Sequence, residues 1–156
     1  VDILNPGCGV GGHCISVDPW FIVDSANGKA KMIEQARRTN DYKADWVVEK
    51  IKEQALIFEK ECGRRAAISC MGLAFKPDID DLRESPALYI AQELNKVLDI
   101  VAVEPNIQEH KKLKLVNLED GVMSDICVYL VFHREFINID LNKWDLDFCG
   151  ISEACL

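Results

Sequence analysis

Residues 7–21, GCGVGGHCISVDPWF, combine a glycine-rich stretch with side chains that can do covalent and acid–base chemistry. Cys14 follows the glycines and precedes a helical pattern that has Pro19 in its first turn. A cysteine near a helix N-terminus faces the positive end of the helix dipole, which favours the nucleophilic thiolate. Asp18 is a candidate for assisting a nearby water or alkoxide. This segment suits a reactive thiol, although a lone cysteine is more often inert.

The glycines of the same segment leave two other interpretations open. Gly7, Gly9 and Gly12 match G-x-G-x-x-G, but a dinucleotide fingerprint also needs a preceding strand and an acidic residue about 20 positions on, after a second strand. Only VDILNP precedes the glycines here, and a long helical pattern follows, so the fingerprint is disfavoured. A structural turn stays open, because glycine adopts backbone conformations closed to other residues.

Neither a metal site nor a disulfide framework is expected. Cys8, His13 and Cys14 are close in sequence, but no second Cys/His cluster follows at zinc spacing. None of the seven cysteines forms a C-x-x-C pair. Cys70 and Cys127 lie in apolar, strand-like runs, where cysteine behaves as a small hydrophobic residue. Free thiols in a reducing cytoplasm are therefore the expectation.

A second candidate site, GLAFKPDIDDLRESPA at residues 72–87, connects an apolar strand pattern to a helix that Ser85 and Pro86 introduce. In open α/β sheets, ligands bind beyond the carboxyl ends of strands. Lys76 and the planar fork of Arg83 suit phosphate oxygens, so a phosphate or cofactor contact is one interpretation. The other is a solvated loop in which the two cations balance acidic neighbours.

The elements that must position these residues begin with one very long helical pattern, residues 29–62, which Gly63 ends. Its stripe at three- and four-residue spacing consists of Ile33, Ala36, Asn40, Ala44, Val47, Ile51, Ala55, Phe58 and Cys62. A helix of this length would be roughly 50 Å long. That length favours a spine between two bodies, or a dimer surface, over the flank of a compact sheet. The amide of Asn40 needs hydrogen-bond partners, either within the packed structure or at a site.

After Gly63, short apolar runs alternate with short helical patterns. The runs are RAAISCMGL, DIVAVEP, a weaker KLKLV, DICVYLVF and LDFCG. This alternation predicts an α/β fold, in which a long central helix is followed by a doubly wound, parallel, Rossmann-like sheet. The domain boundary is expected near Gly63, which separates residues 1–63 from residues 64–156. His133 and Arg134 follow the DICVYLVF run, but no specific role is predicted for them.

Composition excludes several classes of partner. The net charge of -8 argues against a nucleic-acid surface and against a basic membrane-binding face. No apolar run approaches the roughly 20 residues that span a bilayer. The first residues lack the basic flank and apolar stretch of a signal peptide. Neither nucleic acid nor membrane is therefore expected as a partner.

The motifs GVGGHC…D and GLAFKP…DDLRESPA together resemble the UDP-glucose/GDP-mannose dehydrogenase family. The variant PGCGVGGHCISVDPWFIV, followed by ARRTNDYK, is most similar to the members that oxidise UDP-N-acetylmannosamine. The resemblance implies the end of a central helical dimerisation region and a C-terminal UDP-binding domain. It implies that the NAD-binding domain and the helix carrying the lysine acid/base are not included. The chain alone is accordingly expected to turn over no substrate.

The resemblance also implies roles for individual residues. Cys14 would be the nucleophile that holds the sugar between two hydride transfers to NAD, and Asp18 would assist the water and proton steps. Phe75 and Lys76 match substrate contacts, and Arg83 matches a contact to the NAD phosphates. The sugar-wrapping segment matches Asn5, Pro6, Gly7, Gly9, Val10 and Gly11. The family's late arginine has no clear counterpart in DFCGISEACL.

The implied activity is oxidation of UDP-N-acetylmannosamine to its uronate for polysaccharide biosynthesis, by a cytoplasmic homodimer. UDP-glucose, UDP-N-acetylglucosamine and GDP-mannose stay open as substrates. A non-catalytic nucleotide-binding or dimerisation module stays open as a different class of function.

Overall fold

Two helices precede the sheet in a computed structural model that describes residues 6–152. Helix α1 is Asp18–Ser25, and helix α2 is Lys31–Cys62. Gly63 adopts φ 69°, and its amide donates to the Glu59 carbonyl, which confirms the predicted end of the long helix. Among the described residues, no helix is both long and apolar enough to cross a membrane.

The rest of the described chain forms a parallel sheet with helices between its strands. The strands are β1 (Ile68–Met71), β2 (Ile100–Val103), β3 (Ile126–Tyr129) and β4 (Leu146–Asp147). Helices α3 (Pro86–Asn95) and α4 (Leu118–Val122) connect β1 to β2 and β2 to β3. The order is β2-β1-β3-β4 with every pair parallel, which confirms the predicted α/β fold. The chain reverses its winding between β1 and β3, so that a crevice is expected at their carboxyl ends.

The KLKLV run was predicted to be a strand, but it does not form one. Leu115 forms a single parallel bridge with Ala102, and no strand develops around it. The physical reason is the next element: the side chain of Asn117 accepts a hydrogen bond from the Asp120 amide at 2.7 Å and caps α4. The chain turns into a helix before a second pair can form.

Alternate residues of the strands pack on opposite faces of the sheet. Ile68 and Val128 belong to one buried cluster, whereas Met71 and Tyr129 belong to the other. Period-two alternation requires this division once both faces are covered by helices or loops.

The carboxyl-terminal half of α2 covers the first of these faces. Val47, Ile51 and Phe58 lie in the same cluster as Ile68. This differs from the expectation that so long a helix would not flank the sheet. Towards the other end of α2, Ala36 of the predicted stripe is exposed. The domain boundary at Gly63 stays a prediction.

Candidate active site

The two motif segments meet in the structure. Gly12 donates its amide to the Arg83 carbonyl at 3.2 Å. A Cβ on Gly11 would lie 2.3 Å from the Glu84 carbonyl oxygen, and a Cβ on Gly12, which has φ +91°, would lie 2.9 Å from Phe75 Cε2. Residues 6–12, which we call the glycine loop, therefore require glycine where they touch residues 72–85, which we call the β1–α3 loop.

The glycine loop is anchored from behind by α2 and the sheet. Asn40 Oδ1 accepts the Val10 amide at 2.8 Å, and Asn40 Nδ2 donates to the Val10 carbonyl at 3.4 Å. The Cys8 thiol contacts the Leu130 carbonyl at 3.6 Å. The amide of Asn40 is therefore a satisfied structural group and also holds the candidate site, so the two interpretations of this residue coincide.

Cys14 lies on an exposed turn between the glycine loop and α1. Its carbonyl accepts the amides of Val17 and Asp18 at 3.0 and 2.8 Å, which leads the chain into the helix. Asp18 is exposed and is the first residue of α1. Pro6 is exposed as well, whereas Asn5 lies outside the described residues.

Most other described thiols differ from Cys14 in burial. Burial raises the pKa of Cys8 and of Cys70 to about 12 and that of Cys127 to about 11. Cys62 is exposed, but it ends α2, away from both loops. Accessible thiol chemistry at the two loops therefore falls to Cys14.

The β1–α3 loop carries two exposed cations, Lys76 and Arg83. Hydrogen bonds from Arg83 to Asp81, with Nη2 to Oδ2 at 2.6 Å, lower the pKa of Asp81 to about 2. The same hydrogen bonds raise the pKa of Arg83, and the charge of Cys14 adds a smaller contribution. The backbone of Arg83 is bonded to Gly12, two residues before Cys14. Lys76 is exposed, with Nζ 5.7 Å from the Phe75 ring centroid. Within residues 6–152, no carboxylate lies at ion-pair distance from Lys76.

A buried acid–histidine pair lies under the β1–α3 loop. Glu104 Oε2 is 3.2 Å from His133 Nε2, and neither side chain has solvent exposure. Burial alone would raise the pKa of Glu104, but the hydrogen bonds from His133 and the Leu73 amide outweigh it and lower the pKa. Sequence reasoning missed Glu104. A signal was available in the sequence: Glu104 directly follows β2 and His133 follows β3, so both residues lie at the same edge of the parallel sheet.

Asp78, His133 and Glu135 each bring one ligand atom within 4.8 Å of the others. His133 Nδ1 already accepts the Asp78 amide at 3.0 Å, and the Asp78 carboxylate accepts from Arg134 Nε at 3.2 Å. A metal ion bound at Nδ1 would have to displace the hydrogen bond from the Asp78 amide.

A cavity of about 460 Å³ lies between α2 and α3. Its lining includes Val10, Arg37 and Tyr89, and among the predicted site residues that the structure describes only Val10 reaches it. Arg37 is buried and its Nη2 pairs with Asp41 at 3.2 Å. The cavity therefore adjoins the glycine loop on the side of α2, and Ser16 but not Cys14 is among its lining residues.

Family models match both parts of this arrangement. The UDP-binding domain model of the UDP-glucose/GDP-mannose dehydrogenase family matches residues 69–147, and the central domain model of the same family matches residues 1–42. The chain belongs to this family. Membership confirms the resemblance found in the two motifs and makes the chain part of an enzyme family of nucleotide-sugar dehydrogenases.

Individual relatives are similar along nearly all of the chain. UDP-N-acetyl-D-mannosamine dehydrogenase of Campylobacter jejuni is 48% identical over 96% of this chain and 38% of its own length. NDP-N-acetyl-D-galactosaminuronic acid dehydrogenase of Ralstonia nicotianae is 43% identical over 92% and 34%. The structure of UDP-D-ManNAc dehydrogenase from Pyrococcus horikoshii superimposes with a TM-score of 0.78 at 28% identity, over 97% of this chain and 37% of that one. The chain thus spans under two fifths of each.

Proposed function

We propose that this chain carries the thiol nucleophile and the sugar-nucleotide site of an NAD-dependent dehydrogenase, which oxidises the primary alcohol of UDP-N-acetylmannosamine to a carboxylate. The observation that carries the proposal is the exposed Cys14, which lies two residues after Gly12, where the glycine loop is bonded to the Arg83 carbonyl of the β1–α3 loop. The similarity to dehydrogenases of UDP-N-acetyl-D-mannosamine and of an NDP-N-acetyl sugar favours an N-acetylated hexose over glucose.

The glycine loop and the β1–α3 loop would bind the substrate between them. Pro6, Gly7, Gly9, Val10 and Gly11, together with Asn5 ahead of them, would surround the sugar. Their small or absent side chains let backbone groups approach it closely.

Phe75 and Lys76 would contact the nucleotide. Because the chain has a net charge of -8, an anionic diphosphate needs a local cation. Lys76 meets this need, since it is exposed and no described carboxylate pairs with it.

Arg83 suits an NAD phosphate. Its guanidinium is exposed and already holds a carboxylate through Nε and Nη2, the geometry that phosphate oxygens also accept. NAD, when bound, accepts hydride from the substrate. None of the described residues is assigned to its nicotinamide ring, so we expect the isolated chain to bind UDP-sugar without reducing NAD.

Cys14 would do the covalent chemistry. Its sulfur adds to the carbonyl carbon of the sugar aldehyde, and the carbonyl oxygen takes a proton to give a thiohemiacetal. After this adduct is oxidised to the thioester, water adds to the acyl carbon and the thiolate leaves. Asp18, at the start of α1, would take a proton from that water. The thiol must stay reduced, and the six cysteines within residues 6–152 are all free, which fits a cytoplasmic reaction.

Substrate protection of the thiol tests this proposal. UDP-N-acetylmannosamine should slow the alkylation of Cys14 by iodoacetamide, and the alkylation rate of Cys62, the internal control, should not change. Peptide mass spectrometry measures both rates. Lys76→Ala should weaken UDP-sugar binding about tenfold in calorimetry, since a charged phosphate contact is lost. Lys60→Ala, an exposed lysine near the end of α2, should not change it. If the ligand binds but leaves the alkylation rate of Cys14 unchanged, as it does that of Cys62, the chain is a binding module and not part of a catalyst.

We also propose that the chain forms a homodimer through α1 and the start of α2. Helix α1 contains Trp20, Phe21 and Ile22 but buries none of its residues, and Met32 is 86% exposed. Large apolar side chains exposed in this number on adjacent elements are typical of an interface. The protein should elute as a dimer in size exclusion with light scattering, and Met32→Glu should shift it to monomer.

Met123 provides the matched control for this dimer. Met123 is 83% exposed, but it lies at the end of α4, which connects two strands of the sheet and is not part of the proposed interface. Met123→Glu should therefore leave the dimer intact. A monomeric wild-type protein, or equal effects of the two substitutions, would exclude the proposed interface.

A further inference from the structure

The buried carboxylate of Glu104 binds the beginning of the β1–α3 loop. Its Oε2 accepts the amides of Leu73 at 2.7 Å and Ala74 at 3.0 Å. Its Oε1 accepts the amide and the side-chain nitrogen of Asn106 at 3.1 and 3.3 Å. A carboxylate at the end of the second strand is where dinucleotide-binding folds bind a ribose hydroxyl. Here that carboxylate is saturated by protein donors, so it cannot serve a ligand in this way.

His133 extends the same network to the middle of the loop. Because Nδ1 accepts the Asp78 amide at 3.0 Å, the imidazole carries its proton on Nε2 and donates it to Glu104 at 3.2 Å. Asp78 is a non-glycine residue at φ +59°, a conformation that needs support from its surroundings. The carboxylate of Asp78 adds to this support by accepting the Arg134 amide at 3.0 Å.

The two anchors enclose the residues that face the glycine loop. Glu104 holds Leu73 and Ala74, His133 holds Asp78, and Phe75 and Lys76 lie between these fixed points. Lys76 itself has no partner among the described residues to orient its backbone.

We propose that Glu104 and His133 form a positioning pair, which fixes the backbone of residues 74–78 so that Phe75 and Lys76 face the nucleotide of the sugar substrate. The pair acts through the loop and touches no reacting atom. The inference rests on the proposed function for the identity of the ligand.

Two substitutions of His133 separate its two hydrogen bonds. The amide of asparagine reaches the position of Nδ1 and can accept from Asp78, whereas the amide of glutamine reaches the position of Nε2 and can donate only to Glu104. His133→Gln should therefore speed hydrogen exchange of the Asp78 amide and weaken UDP affinity about tenfold, because one hydrogen bond is lost. His133→Asn should keep both values within about threefold of wild type.

A core substitution at the opposite end of the sheet controls for general loss of stability. Ile126 is fully buried at the start of β3, and Ile126→Val should lower the melting temperature without changing Asp78 exchange or UDP affinity. Equal effects of the glutamine and asparagine variants on exchange and affinity would overturn the positioning role. So would an affinity loss in Ile126→Val as large as that in His133→Gln.

Amide exchange keeps the inference separate from the proposed function. If the wild-type chain binds no UDP, the proposed function fails. The exchange comparison between the two His133 variants remains informative in that case: faster Asp78 exchange confined to the glutamine variant supports the anchoring of Asp78 by His133, and identical exchange overturns it.

Discussion

Replacing Cys14 by serine is expected to reduce carboxylate formation by about 10⁴-fold or more, in the dehydrogenase that carries this chain. A serine hydroxyl is far less nucleophilic than a thiolate. The enzyme would release aldehyde or stop before the second oxidation. UDP-sugar affinity should stay within about twofold, because the side chain is exposed and the change removes no packing.

The measurement is the steady-state yield of uronate, with Cys62→Ser as the matched control. Cys62 is the other exposed thiol of the described chain and lies at the far end of α2. Full activity is expected for Cys62→Ser. A Cys14→Ser enzyme with more than a tenth of wild-type uronate formation would rule out the covalent role.

Gly11→Ala is expected to destabilise the protein by about 3 kcal/mol and to abolish UDP-sugar binding. The added Cβ would lie 2.3 Å from the Glu84 carbonyl oxygen, 2.8 Å from Pro86 Cδ and 3.0 Å from Phe75 Cβ. Glu84 precedes Ser85, whose hydroxyl donates to the Leu73 carbonyl at 2.6 Å. The Glu84 backbone therefore cannot move away from the new Cβ without straining this hydrogen bond. The glycine loop would instead separate from the β1–α3 loop.

Gly7→Ala is the control, because a Cβ there has nothing within 4 Å. Its change in unfolding free energy should stay within about 0.5 kcal/mol. Thermal unfolding compares the two variants, and UDP calorimetry compares Gly11→Ala with the wild type. Wild-type binding by Gly11→Ala would show that the contact between the two loops is unnecessary for the site.

Much of the fold could be predicted from local patterns. The three-four spacing and Gly63 predicted the end of α2 at its observed residue, and the apolar runs predicted β1, β2 and β3. The KLKLV prediction was wrong because apolar alternation carries no information about the cap at Asn117, which starts α4 too soon. The local pattern also could not predict which residues of α2 are buried, since burial depends on which part of the helix lies over the sheet.

By itself, the sequence determined which groups can do chemistry: a cysteine before a helix, an aspartate four residues on, and a lysine and an arginine after a strand. These follow from residue type and spacing, which act locally. Only the tertiary structure decided that Gly12 is bonded to Arg83, that Asn40 holds Val10, and that Glu104 is bound to His133. Such contacts join residues far apart in the chain. Glu104 and His133 meet because parallel strands bring their carboxyl ends to one edge of the sheet, whereas Asn40 reaches Val10 because α2 packs against the glycine loop.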